Sequence, residues 1–244
     1  MPNAWKEKIK SLPWLYRTLV CWRSASSRLF RPKSVYLFLN GKKPLSPVYG
    51  LDRGRPIDRY YIEEFLAANS DLIRGKVLEV MEDRYTKIFG KEKVQTSDVL
   101  DIDPNNSRAN IIGDLRYLEQ ITDNQYDCII LTQVLQFIDE PSKAIAQCYR
   151  LLKPGGVVLA TLPTLSRIDC VAKQAGDYWR FTAASAAFLF QKNFSLEKTE
   201  IISKGNLLAG INFLIGLAWD EMNKKQLTRL DEDFPCLICV KATK

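Results

Sequence analysis

Histidine is absent from all 244 residues. That removes the side chain whose charge changes near neutrality, and with it any imidazole base, metal ligand or pH sensor. Long apolar runs are missing as well. The longest, Leu207 to Ala218, is interrupted by Asn212 and too short to span a bilayer, so it is expected to form a buried or interfacial helix. The stretch Trp14 to Trp22 is broken by Arg17 and lacks a small-residue cleavage pattern, which argues against a signal peptide. No repeat or low-complexity tract is present. The six cysteines fall mainly in apolar stretches and read as reduced core residues of a cytoplasmic protein. Cys236 and Cys239 have a C-x-x-C spacing inside PCLICV. Residues i and i+3 of a strand point to opposite faces, and no second pair or histidine completes a zinc site, so no metal is expected.

Charge is present but unevenly spread. The formal charge is +7, yet residues 1–43 hold ten Lys or Arg and one acid, Glu7, a net +9 against −2 for the remainder. Trp5, Leu12, Trp14, Leu15, Tyr16 and Trp22 interleave there with Lys6, Lys8, Lys10, Arg17 and Arg23. That pattern suits an interfacial helix on anionic lipid, a peripheral attachment to the membrane. Nucleic acid ranks behind lipid as a partner, and a helix packed on the core with its charges solvated stands beside both. The length suits one domain with an N-terminal extension.

From Tyr126 to Pro163 the chain reads as one βαβ unit. Cys128 to Leu131 is a continuous apolar run, as expected of a parallel strand covered on both faces, and it stops at Thr132 and Gln133. Pro141 fits the first turn of a helix, Ile145, Cys148, Tyr149 and Leu152 share one face, and Gly155 and Gly156 are expected to stop it before the strand Val157 to Leu162. In open α/β sheets ligands bind at such exposed strand ends. Upstream, Lys76 to Val80 reads as a strand ending at the acidic Glu79 and Val99 to Asp103 as a second ending in carboxylates. A third, Ala109 to Ile112, runs into Gly113, Asp114 and Leu115. The carboxylates of the second lie a little over twenty residues beyond Glu79, the separation at which a Rossmann-like acid reaches ribose hydroxyls.

The pieces RGRPIDRYYIEEFL, KVLEV, DVLDIDP, IIGDL, YDCIILTQVLQFIDEP, LLKPGGVVLATLP, DYWRFT and DFPCLICVKATK, in this order and spacing, resemble the class I S-adenosylmethionine-dependent methyltransferases. The group they resemble has a methyltransferase-11-type domain and occurs near polysaccharide genes. The resemblance implies an α/β, Rossmann-like fold of seven strands, mostly parallel with the last strand antiparallel. It makes residues 54–244 the methyltransferase domain and residues 1–53 a basic, partly helical extension. It further implies S-adenosyl-L-methionine as cofactor. Asp103, or its neighbour Asp101, would bond the ribose, Asp114 would meet the adenine amino group with Leu115 beside the ring, and Thr132 and Gln133 would line the methionine end. Glu79 and Met81, at the end of the first strand, join this expected cofactor set.

One departure stands against the matches. The first strand of such enzymes normally enters a glycine-rich loop, because a residue without Cβ allows close approach and positive φ. Here the loop is Met81-Glu82-Asp83-Arg84-Tyr85-Thr86, with no glycine before Gly90, and the following helix has little room. Two functions therefore compete: a methyltransferase acting on a small or saccharide-linked acceptor, with oxygen as the favoured target, or a degenerate module that binds a glycosyltransferase, a membrane surface or nucleic acid.

Without histidine, proton removal from a hydroxyl must fall to a carboxylate, a tyrosine, a lysine or water, and alignment of the reactants supplies much of the rate. The acceptor side is expected in Asp177-Tyr178-Trp179-Arg180-Phe181-Thr182. There Asp177 can take a proton or bond a sugar hydroxyl, Tyr178 can stack, and Arg180 can fix an anionic acceptor. The alternative is a structural Asp177–Arg180 ion pair. Thr182 is expected to cap the helix that follows. Arg59, Tyr60 and Tyr61 either form a lid or dock their helix on the sheet.

Overall fold

The computed structural model describes residues 39–169 and 176–244. The tryptophan-rich part of the basic extension lies outside the described residues. Helix α1 (Ile57–Ala68) leads into β1 (Gly75–Val80), and β2 (Val94–Asp101) and the short β3 (Ile111–Ile112) follow. Next come β4 (Tyr126–Thr132), α2 (Pro141–Leu151), β5 (Leu152–Pro163), α3 (Ala183–Phe190) and β6 (Thr199–Lys204). Helices α4 (Leu207–Ile215) and α5 (Lys224–Thr228) precede the final β7 (Leu237–Thr243).

The strands form one sheet in the order β3-β2-β1-β4-β5-β7-β6. Strands β1 to β5 pair in parallel, while β7 lies between β5 and β6 and is antiparallel to both. This is the expected sheet, with the antiparallel strand last in sequence. The order reverses between β1 and β4, where adjacent crossovers leave on opposite faces and open a crevice at the strand ends.

Apolar runs explain the layers. In β4, Cys128, Ile129, Ile130 and Leu131 are all fully buried, because both faces are covered. Ile129 and Leu131 pack with Ala144, Ile145 and Cys148 of α2 and Phe190 of α3. On the opposite face Cys128 and Ile130 pack with Tyr61, Ile62 and Phe65 of α1 and Phe213 of α4. Tyr61 also donates its hydroxyl to Leu227 O at 3.0 Å, and Tyr60 packs edge-on against Trp219, so both tyrosines dock the helix. Cys128, Cys148, Cys236 and Cys239 are buried free thiols.

Several boundaries differ from expectation: β3 keeps only Ile111–Ile112 of Ala109 to Ile112, and β2 begins at Val94 instead of Val99. Helix α2 stops at Leu151, before the glycine pair, and Gly155 and Gly156 lie inside β5. Pro154 accounts for this, because the residue before a proline is pushed to extended backbone. Strand β2 runs Val94–Asp101 and ends two residues earlier than Asp103. There the Asp101 carboxylate accepts the Asp103 N–H at 3.0 Å, an Asx turn that takes the chain out of the strand.

Helix α4 is capped by Asn206, which accepts the Ala209 N–H at 2.9 Å, and it ends at Gly216 in the left-handed region. It buries Ala209, Gly210 and Phe213 but leaves Leu207, Leu208, Ile211 and Leu214 exposed. Leu45 N–H donates to Ile215 O at its end, and Arg53 forms a half-buried pair with Glu221, so residues 45–53 pack onto the domain. No helix among the described residues is long and apolar enough to cross a membrane.

Candidate functional site

At the end of β1 the loop is built around Glu79. Its buried carboxylate accepts from Tyr85 N–H at 3.1 Å and from the Thr86 N–H and hydroxyl at 2.8 Å each. Burial pushes its carboxyl up to about 7 against the pull of these three donors. Glu79, expected among the cofactor contacts, is buried, and its carboxylate is taken up by three donors that hold the loop in shape. Met81 then turns the chain at φ +73°, the conformation that a glycine adopts without cost. Its N–H donates to Leu100 O at 2.9 Å, which ties the turn to β2. The expected helix is reduced to one turn and the π turn Thr86–Gly90.

Asp101 closes β2 beside that turn. The amide of Asn106 donates to Asp101 Oδ2 at 2.6 Å and to Met81 O at 2.8 Å, bridging the first two strand ends. Asp103 is turned into its own loop, where Oδ1 accepts the Asn105 N–H at 2.9 Å and side-chain amide at 3.0 Å. Of the two candidates, Asp101 is the one at the strand end. Beyond β3, Asp114 is gripped by Arg116, whose Nε lies 3.0 Å from both carboxylate oxygens and holds the carboxyl below the usual range. Leu115 is buried in the core next to it.

At the end of β4, Gln133 is the second strand-end residue at positive φ, +56°. Its N–H donates to Thr161 O at 3.0 Å, and the side-chain amide of Gln136 donates to Gln133 O at 2.9 Å. Gln133 Nε2 and Gln136 Oε1 are buried without a hydrogen-bond partner. A cavity of about 260 Å³ opens here, lined by Met81, Thr132, Gln133 and Gln136 at the strand ends, by Asp58 and Arg59 of α1, and by Tyr49, Asp169, Asp177 and Arg180. Arg59 donates to the Tyr85 hydroxyl at 3.1 Å, which fastens α1 to the β1 loop and puts Arg59 at the site rather than in a lid.

The acceptor segment divides. Asp177 and Arg180 reach the cavity, but as a two-pronged ion pair of 2.6 and 2.9 Å with the Asp177 side chain only 3 % exposed. Arg180 holds the Asp177 carboxyl below the usual range, and Asp177 Oδ2 also accepts the Asp169 N–H at 2.9 Å. A carboxylate so stabilised is a poor proton acceptor, so the structural pair replaces the base expected at Asp177. Tyr178 is half-exposed and outside the cavity wall, its N–H donating to Gln136 O at 2.8 Å. Thr182 caps α3 as expected, accepting the Ser185 N–H at 3.1 Å.

Asp58, Gln136 and Tyr49 enter the site without having been singled out for it in the sequence. Asp58 had read only as a helix-entry residue. Gln136 carried the one available signal, a polar side chain inside the apolar run Val134 to Ile138. Tyr49 donates its hydroxyl to Asp169 at 3.0 Å across 120 residues of chain, a pairing that no local pattern announces.

Residues 75–160 match the family model described as a methyltransferase domain. No curated protein matches the chain. Among solved structures, a SAM-dependent methyltransferase from Archaeoglobus fulgidus is similar at 14% identity and TM-score 0.52, covering 76% of this chain and 94% of its own. The N-methyltransferase NodS from Bradyrhizobium japonicum, solved with S-adenosyl-L-homocysteine, is similar at 13% identity and TM-score 0.50, covering 78% of this chain and 89% of its own. At these identities the likeness is one of fold.

Proposed function

The chain carries the domain and the fold of a class I S-adenosylmethionine-dependent methyltransferase, and from that premise we propose that it transfers a methyl group to a hydroxyl oxygen of a small or saccharide-linked acceptor. The observation that carries the reading is the cavity at the strand ends, where two left-handed residues, Met81 and Gln133, and two orphaned amide atoms, Gln133 Nε2 and Gln136 Oε1, meet. Buried polar atoms without partners are costly and rare in native proteins, so these support a bound polar group.

The residues present fit S-adenosylmethionine. Met81 supplies by conformation the turn that a glycine would supply by composition, which favours retained binding over a degenerate module. In this reading Asp101 bonds the ribose, Asp114 meets the adenine with Leu115 beside it, and Thr132 with Gln133 and Gln136 lines the methionine end. When bound, the cofactor supplies an electrophilic methyl group on a sulfonium. The chain's own part is to hold that end at the cavity, exclude water and orient the acceptor oxygen for in-line displacement. Residues 1–43 we assign to peripheral contact with anionic lipid on the cytoplasmic side.

Calorimetry with S-adenosylhomocysteine tests the reading. Wild-type protein is expected to bind, and Asp101→Ala to lose about 1.5–3 kcal/mol, the range for a charge-assisted hydrogen bond, while Asp103→Ala changes little. No heat and no thermal shift at millimolar ligand would reject the enzyme.

A further inference from the structure

A chain without histidine that methylates a hydroxyl has few groups able to take the proton, and the cavity narrows them further. Asp177 is held as an ion pair by Arg180. Tyr49 is a hydrogen-bond donor to Asp169, and burial beside that carboxylate raises its phenol far above neutrality. The Cys236 thiol is pushed up to about 11 by burial. Asp58 stands apart. It lies in the first turn of α1 on the cavity wall, and its Oδ1 is sealed from solvent with no hydrogen-bond partner. A buried carboxylate oxygen left without a donor is a cost that a structural role does not explain.

We propose that Asp58 is the proton acceptor for the acceptor hydroxyl, an assignment that rests on the oxygen-methylation reading. As the acceptor oxygen forms its bond to the methyl carbon, the O–H bond breaks and its proton passes to the Asp58 carboxylate. The sulfur–methyl bond pair stays on sulfur and leaves a neutral thioether. Burial pushes the Asp58 carboxyl above the usual carboxylate range, against the Arg59 guanidinium and the N–H groups of Arg59 and Asp58 itself. Besides Arg59, the charged and titratable groups that line the cavity with Asp58 are Asp169, Asp177 with Arg180, Tyr49 and Cys236. A desolvated carboxylate is a stronger base than one in water, which suits proton abstraction near neutrality.

The test uses the full-length chain, Asp58→Asn and Asp58→Glu. Asp58→Asn keeps the size of the side chain and should bind S-adenosylhomocysteine within about threefold of wild type by calorimetry, which separates this proposal from the cofactor reading. Transfer of label from S-adenosyl-[methyl-³H]methionine to a panel of mono- and disaccharide glycosides should fall in Asp58→Asn by about 100-fold or more. Asp58→Glu should recover part of the rate, and the acidic limb of the wild-type pH–rate profile should vanish in Asp58→Asn. Difference infrared spectroscopy of the free protein gives a readout independent of activity. A protonated-carboxyl carbonyl band lost in Asp58→Asn should persist above the pH at which an ordinary aspartate ionises. The proposal is overturned if Asp58→Asn keeps wild-type turnover or the acidic limb, if it loses cofactor binding along with turnover, or if no such band exists. It also fails if no hydroxyl acceptor is methylated while the cofactor product still binds.

Discussion

Replacing Met81 by glycine and by alanine isolates the strain that the cofactor loop carries. Met81 holds φ +73° and is 60 % exposed. For an L-residue the left-handed region costs roughly 1–2 kcal/mol, which glycine avoids while giving up about 0.5–1 kcal/mol of backbone entropy. Full burial of a methionine stabilises by roughly 1.5–3 kcal/mol, so the buried two-fifths of this one contributes about 0.6–1.2 kcal/mol. Met81→Gly therefore nets close to zero. Met81→Ala loses the same contacts without relieving the strain and should be destabilised by about 0.6–1.2 kcal/mol. The decisive comparison is between the two variants, which differ only in Cβ. Glycine should exceed alanine by about 0.5–1 kcal/mol, the reverse of the order in a helix interior. Urea unfolding with a common m-value reads the difference, and S-adenosylhomocysteine should bind Met81→Gly at least as tightly as wild type. An alanine variant as stable as the glycine variant would refute the view that conformation stands in here for the missing glycine.

Two further outcomes follow from the charges. Burial raises the Glu79 carboxyl from about 4.5 to about 7, so its contribution to stability is complete below the unfolded value and declines as pH rises through 7, by up to about 3 kcal/mol. The advantage of wild type over Glu79→Gln in urea unfolding should then be smaller at about pH 8 than at about pH 5; a larger advantage at the higher pH would mean that the three donors to Glu79 outweigh its burial. Because residues 1–43 carry +9 and the remainder −2, full-length protein should bind phosphatidylserine vesicles at low salt and release them as the Debye length contracts to about 8 Å. A 1–43 deletion that sediments with vesicles as well as the full chain does would sink that assignment.

What could be read from the sequence follows the range of the interactions. The βαβ unit at Tyr126 to Pro163, the acidic strand ends and the cap at Thr182 are local patterns, and each appears in the structure close to where it reads. The failures are non-local or conformational. Asp103 looked like a strand end because Ile102 continues the apolar alternation, but the Asx turn made by Asp101 ends the strand first. Asp177 reads as a base ahead of an ion-pair partner, because its segment follows the carboxyl end of a strand, but the orientation of Arg180, three residues on, pairs it instead. Asp58 meets the β4 and β5 ends only through the packing of α1 on the sheet, and nothing in IDRYYIEEFL marks one carboxylate oxygen as left without a hydrogen bond.

The glycine-free loop shows why composition is an indirect guide to a site. A motif glycine matters for the torsion it permits, and at the strand ends beside the cavity the protein reaches that torsion with ordinary residues, Met81 after β1 and Gln133 after β4. Both are pinned by a main-chain hydrogen bond to a neighbouring strand, Met81 to Leu100 O and Gln133 to Thr161 O. Strain of this kind persists only where surrounding contacts enforce it, and it gathers at functional sites. The sheet supplies the enforcement at both positions, on the two strands that flank the crevice. The torsion therefore survives the loss of the residue that usually signals it, and so does the turn that faces the cavity.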